Sequence, residues 1–190
     1  MEEVTLSESL SKAKKIKKDF KEIYGADIAR CYQCGKCAAG CPLSEKMDYD
    51  SCQMIHLLQQ GRYEEALNSK AIWYCVGCET CSARCPREVY PSKVMEGLHM
   101  EAVVKGHIGD RDLHIFHKNF LGLVRRYGRV HEMELMIRHN LLTGKFLKDA
   151  LFAPQMLMKG KLPLLPHKIQ AQKEVEDIFR RCEELRGEGK

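Results

Sequence analysis

Residues 31–42 and 75–86 carry one pattern twice: Cys31-x2-Cys34-x2-Cys37-x3-Cys41-Pro42, then Cys75-x2-Cys78-x2-Cys81-x3-Cys85-Pro86. Each cysteine of the first run has its counterpart 44 residues on, so eight of the ten cysteines fall in one internal repeat. Three thiolates at this spacing can wrap a four-iron cubane, and the run with its trailing Cys-Pro is the bacterial-type pattern for [4Fe–4S] clusters. A chain built on it folds around its cofactors, which occupy much of the middle of the cysteine-rich part. The repeat predicts two [4Fe–4S] clusters and one-electron chemistry between them.

A cubane needs one thiolate on each of its four irons. The fourth cysteine of each run, followed by proline, points away from its own loop and serves the other cluster in two-cluster ferredoxins. The expected ligand sets are therefore crossed: Cys31, Cys34, Cys37 and Cys85 for cluster 1, and Cys75, Cys78, Cys81 and Cys41 for cluster 2. Crossing ties the two halves together and keeps the clusters near each other. Pro42 and Pro86 set the direction in which the chain leaves each loop. Gly35 and Gly77 lack a Cβ, so their backbone can approach inorganic sulfide and offer N–H groups to it.

Other uses of cysteine fit the pattern worse. Disulfides suit an oxidising compartment, whereas residues 1–24 are charged and unlike a secretory signal. Structural zinc takes two separated Cys-x2-Cys pairs and has no use for a third cysteine and a Cys-Pro in one run. A radical enzyme leaves one iron open and needs a barrel longer than this chain. Ten cysteines without a signal segment point to a reducing, cytoplasmic setting.

No apolar stretch approaches the roughly 18 residues that a membrane helix requires; 55–58 and 121–124 are short and flanked by charges. The formal charge of +5 invites a nucleic-acid reading. Two oxidised cubanes with their thiolates carry 2− each, which lowers it to about +1 and argues against nucleic acid as a partner. The remaining basic excess lies in the tail, around Arg125, Arg126 and Arg129, where it could steer a protein partner.

Along the chain, Leu6, Leu10, Ala13, Ile16, Phe20 and Ile23 recur at helical spacing up to Gly25. The 33 residues between Cys41 and Cys75 predict a helix capped by Asp50 or Ser51 and stopped at Gly61, then a short helix over 63–68. A further helix capped by Ser92 carries a stripe of Val94, Met95, Leu98, His99 and Ala102. No alternating Val/Ile/Thr run flanks the cysteines, so strands are not expected. Turns are expected at Gly122, Gly128, Gly144 and Gly160, with Pro154, Pro163 and Pro166 breaking up residues 152–167. The expected fold is mainly α: an N-terminal helical arm (1–26), a helical two-cluster domain (27–105) and a helical, loop-rich extension (106–190).

Two such runs separated by helices resemble the α-helical ferredoxin domain, found in succinate dehydrogenase-type iron–sulfur subunits and glycolate-oxidase-type electron-transfer subunits. The stretch from Glu65 through Ala-Ile-Trp73-Tyr74-Cys75-Val-Gly-Cys78-Glu-Thr-Cys81-Ser-Ala-Arg-Cys85-Pro86 is most similar to the C-type iron–sulfur subunits of methanogen heterodisulfide reductases. The first run, Cys31-Tyr-Gln-Cys34-Gly-Lys-Cys37-Ala-Ala-Gly-Cys41-Pro42, looks equally typical. The likeness covers residues 25–105 well and the tail loosely, through 152–156 and 160–163. It implies a non-catalytic electron-transfer subunit of the heterodisulfide reductase complex. Its partners would be a flavin-containing subunit, fed by a nickel–iron hydrogenase or a formate dehydrogenase, and a catalytic subunit. The catalytic one would reduce the CoM-S-S-CoB heterodisulfide to coenzyme M and coenzyme B in methanogenesis. The same module could instead serve a succinate/fumarate or glycolate-oxidase-type enzyme; no plant-type [2Fe–2S] run precedes it here.

Around the cysteines, Lys36 and Arg84 are expected to favour the reduced state of their cluster, and Glu79 to disfavour it. That would send electrons from the second run toward the first. Trp73 and Tyr74 are expected to shield the second cluster from water. Cys52 and Cys182 are expected to be buried structural cysteines, and His114 and His117 to be core or surface residues. Met133, Met136, Met156 and Met158 suggest adaptable packing or an interface. The apolar but interrupted tail suggests docking on the flavin-containing and catalytic partners.

Overall fold

The structure is a computed structural model, and it describes residues 6–145, 158 and 165–186, with side chains from residue 10. The 152–156 and 160–163 segments, with Met156, Pro154 and Gly160, lie outside the described residues. Among the described residues the chain is helical with no strand, and no helix is long and apolar enough to cross a membrane. It divides into two units, residues 1–110 and 111–190.

In the first unit α1 (Leu6–Ile23) buries Ala13, Ile16 and Phe20, while Leu10 and Ile23 face outward. Gly25, at φ 66°, reverses the chain so that the Ala26 N–H reaches the Phe20 carbonyl at 3.0 Å. The 33-residue insert packs next. Asp50 caps α3 (Ser51–Gln59) through the N–H groups of Cys52 and Gln53, and the Gln53 side chain accepts in return from the Asp50 N–H. Met54, Ile55, Leu57 and Leu58 then fill the centre of the unit, at roughly 1.5–3 kcal/mol of burial each.

Four helices are of four or five residues: α2 (Lys36–Ala39), α4 (Tyr63–Leu67), α5 (Ala71–Tyr74) and α6 (Thr80–Ala83). Segments this short have no stability of their own and persist only where packing and caps hold them. Asp48 supplies one such hold. Its Oδ1 accepts from Ser69 Oγ at 2.7 Å and the Ala71 N–H at 2.8 Å, and its Oδ2 accepts from the Lys70 N–H at 2.8 Å. This clamp starts α5, whose end delivers Cys75.

The long α7 (Pro91–Lys105) closes the unit with Val94, Met95, Leu98 and Ala102 buried. Its first residue is Pro91, and its N-cap is Tyr90 at φ 56°, not Ser92. Proline suits the first helical position because its missing N–H would have had no partner there. Ser92 is freed for the cysteine site. Tyr24 stands over Gly97 and donates to Glu101 Oε1 at 3.1 Å; burial first, then Glu101, pushes its phenol up to about 12. Residues 106–110 stay with this unit, since Gly109 packs against Ser69 and Trp73 and the Tyr74 hydroxyl donates to Asp110 at 3.2 Å.

The second unit holds α8 (Arg111–Tyr127), α9 (Glu132–Thr143) and α10 (Gln172–Arg186). Leu123, Tyr127 and Leu135 form its small core, with Val130 packed against them. Gly128 and Gly144 end their helices at φ 76° and 72° as expected, but Gly122 lies inside α8, where the helix absorbs it. Arg125 and Arg126 are spent partly within the unit, on Glu183 at 2.5 Å and Glu134 at 3.7 Å. Cys182, expected to be buried, is exposed on α10 together with Ile178 and Leu185. The apolar stripe is real, but this unit gives it little to pack on.

Candidate iron–sulfur site

The two cysteine loops are built on one backbone template. Positions offset by 44 residues match in conformation: Gln33 and Gly77 have φ 61° and 62°, and Gly35 and Glu79 have φ 75° and 62°. In each loop the second of these residues caps a four-residue helix, α2 or α6, that carries the third cysteine. The left-handed positions turn backbone N–H groups toward sulfur. Gln33 and Lys36 present theirs to Cys31 and Cys34; Gly77 and Thr80 present theirs to Cys75 and Cys78. The sequence points to glycine for this task at 35 and 77. The structure adds that each loop fills its other left-handed position with a side chain, Gln33 in one and Glu79 in the other.

The fourth cysteines cross over. Cys31, Cys34, Cys37 and Cys85 line one cavity; Cys75, Cys78, Cys81 and Cys41 line another. Each cavity thus gathers three cysteines of one run and the last of the other. The two loops meet through α2 and α6, where Arg84 packs over Gly40.

Within each quartet the thiols divide by exposure. Cys34 and Cys78 are exposed, and their pKa values are lowered: Cys34 chiefly by the Lys36 N–H, and Cys78 by the Thr80 hydroxyl, 3.4 Å away, and the Thr80 N–H. Burial, and then neighbouring thiolates, pushes Cys31 and Cys75 up and Cys81 to about 11. Four crowded sulfurs are hard to ionise together without a cationic core among them. Such a core reverses that preference, because a coordinated thiol is held deprotonated. A quartet of run cysteines about each cavity, with backbone N–H donors on their sulfurs and Cys52 as a fifth thiol at the first, fits a cubane cluster.

Other side chains complete the surroundings. Lys36 lines the first cavity and Glu79 the second. Glu79 accepts from Ser92 Oγ at 2.6 Å, and Ser92 lies 2.5 Å from Ser82 Oγ, which sits beside Cys81. Trp73 and Tyr74 line neither cavity. Trp73 instead stacks edge-on to His99 at 4.6 Å. Cys52 is buried as expected, but against the first cavity, beside Cys31 and Cys37. His114 and His117 sit on α8, outside both quartets; burial, then His114, lowers the pKa of His117.

Comparison with known proteins places the cysteine runs in a matched region. Residues 27–89 match the 4Fe-4S dicluster domain family. The chain is 32% identical over 112 residues to a C-type iron–sulfur subunit of the CoB–CoM heterodisulfide reductase of Methanocaldococcus jannaschii, covering 57% of each chain. It is 33% identical over 89 residues to the corresponding iron–sulfur subunit of the CoB–CoM heterodisulfide reductase of Methanopyrus kandleri, covering 47% of this chain and 46% of that one. It is 31% identical over 93 residues to the C-type subunit of the H2:CoB–CoM heterodisulfide, ferredoxin reductase of Methanothermobacter thermautotrophicus, covering 49% and 50%. The chain thus spans about half the length of the curated relatives it matches. Its described residues are helical, residues 27–89 match the 4Fe-4S dicluster domain family, and about half of the chain is similar to C-type iron–sulfur subunits of heterodisulfide reductases.

Proposed function

We propose that this chain is the electron-relaying iron–sulfur subunit of a cytoplasmic heterodisulfide reductase, holding two [4Fe–4S] clusters in crossed ligand sets. The supporting observation is the lining of the two cavities, each by three cysteines of one run and the last cysteine of the other. When bound, cubane clusters supply one-electron uptake and release. The chain's own residues insulate, bias and present them.

Insulation comes from α3 and α7, which place Cys52 and Ile55 behind the first quartet and Met95 and Ser51 behind the second. Presentation comes from the outer loop positions. Tyr32 and Val76, again 44 residues apart, are exposed beside the exposed Cys34 and Cys78. Two open corners, one per run, are what a relay needs to meet two partners. Bias comes from Glu79 at the second quartet and Lys36 at the first, which together favour electron entry at residues 75–81 and exit at residues 31–37.

The relatives' names supply the proposed setting, reduction of the CoB–CoM heterodisulfide. In it a flavin-containing partner, served by a nickel–iron hydrogenase or formate dehydrogenase, delivers electrons. A catalytic partner consumes them, and residues 106–190 dock on both. The cluster reading is tested by anaerobic iron and sulfide analysis of the purified chain, with about eight of each expected. The assignment to the complex is tested by anaerobic affinity purification. Recovery of a flavoprotein together with heterodisulfide reductase activity supports it, and recovery of succinate- or glycolate-oxidising partners overturns it.

A further inference from the structure

At one left-handed position of the loop the first run carries a long side chain, Gln33, where the second has glycine, Gly77. Both are left-handed, a conformation that glycine adopts freely and glutamine resists. The side chain of Gln33 is tied down accordingly. Its Nε2 donates to Cys31 Sγ at 3.4 Å and to Gln59 Oε1 at 3.3 Å, and its Oε1 accepts from Cys52 Sγ at 3.1 Å. Gln59 Nε2 in turn donates to the carbonyls of Ile28 and Cys31, at 2.8 and 3.0 Å.

The direction of every bond in this chain is forced. Carbonyls only accept, so the Gln59 amide must turn its NH2 to Ile28 and Cys31 and its Oε1 to Gln33. Gln33 must then turn its own NH2 to Gln59 and to the Cys31 sulfur. Its remaining oxygen can be met by Cys52 only as S–H. The network therefore ends at Cys52, whose Sγ faces the Gln33 oxygen at 3.1 Å, is met by the Gly35 N–H, and shares the cavity with the four run cysteines.

We propose that Gln33 is a positioning residue that, through its amide bond to Cys31, raises the reduction potential of the first-run cluster above that of the second. We also propose that Cys52 is the donor that locks this amide and is not a fifth ligand. The inference rests on the two-cluster reading above. A donor to a ligand sulfur stabilises the more negative, reduced state, and hydrogen bonds to the sulfurs are among the terms that set cluster potentials. Cys75, at the equivalent position, has the Gly77 backbone N–H but no side-chain amide.

The test uses the full chain with its clusters, purified anaerobically. Iron and sulfide are counted first, then both clusters are titrated with EPR detection, the first-run wave being marked by its shift in Cys34→Ser. Gln33→Gly is chosen because glycine keeps the left-handed backbone. The expected result is an unchanged count, with the first-run wave lowered several-fold in its reduced-to-oxidised ratio at fixed potential and the second-run wave unmoved. A tenfold change would read as about 59 mV for a one-electron couple. Cys52→Ala should lower the same wave by less, and Cys52→Ser, which keeps a donor, should restore it. An unmoved first wave, or equal shifts of both waves, overturns the role of Gln33. Iron loss in Cys52→Ala makes Cys52 a ligand and overturns its role as donor. A count far below eight irons in the unsubstituted chain fails the two-cluster reading, and this inference with it.

Discussion

Gly40 and Arg84 occupy the same position in the two runs, each just before a Cys-Pro, and they pack on each other. A Cβ at Gly40 would stand 2.6 Å from Arg84 Cδ and 2.8 Å from its Nε. Two copies of one loop that meet face to face cannot both carry a bulky residue at the meeting point. One copy has given up its side chain and the other fills the space.

This contact predicts a change of sign. Gly40 lies in the ordinary helical region at φ −98°, so alanine meets no backbone strain there. Gly40→Ala should cost no more than about 1 kcal/mol, because the atoms it meets are the end of an exposed, flexible Arg84 side chain. In an Arg84→Ala background the same change should be neutral or stabilising by up to about 1 kcal/mol, because alanine restricts the unfolded chain. Denaturant unfolding of the four proteins of this cycle, under anaerobic conditions, measures the coupling. Equal costs in both backgrounds would show that the contact carries no energy.

Glu79 lines the second cavity and is held by Ser92. Replacing its charge in Glu79→Gln should raise the potential of the second-run cluster and leave the first unmoved. Glu79 is exposed, so screening limits the shift to no more than about tenfold in the reduced-to-oxidised ratio, about 59 mV. No change in either wave would remove Glu79 from the account of electron direction.

Asp48 predicts a pH dependence. Burial alone would raise its pKa, but bonds from Ser69, Lys70, Ala71 and Tyr49 outweigh burial and hold it below the ordinary carboxylate value. A depressed folded pKa contributes stability above the unfolded value, near 3.9, and that contribution is lost as pH falls through the folded pKa. Asp48→Ala should cost about 1–3 kcal/mol at neutral pH, since the buried Ser69 loses its acceptor. The gap from the parent should shrink in unfolding curves taken toward about pH 3. A pH-independent gap would place the effect in packing.

The division of the thiols predicts an order of labelling in the metal-depleted chain. A lowered pKa gives more thiolate at a given pH, and thiolate is the reacting form. Cys34 and Cys78, exposed and lowered, should be alkylated by iodoacetamide ahead of Cys31, Cys75 and Cys81, which burial raises. The difference should narrow as pH is raised toward about 11, the value for Cys81. Peptide mass mapping after short pulses reads the order, and uniform labelling at neutral pH would refute it.

Much of this protein was legible in one dimension. The 4Fe-4S character follows from cysteine spacing, because iron geometry accepts few spacings. The helical insert was legible too, since capping and periodicity are local: Asp50 caps α3, Gly61 follows its end, and Ile55 and Leu58 point inward. The N-cap of α7 was misplaced by two residues because a left-handed Tyr90 has no local signal.

What the sequence by itself determined is therefore the cofactor, the repeat and the helical class, all of which rest on short-range chemistry. Which side chains face the cysteines was decided only by tertiary structure. Trp73 turns to His99 and lines neither quartet, while Cys52 comes to the first quartet from an insert helix. Gln33 and Glu79 stand at offset positions of a shared backbone and so make the two halves unlike. Those choices depend on how distant segments pack around one another, and spacing along the chain carries no record of them.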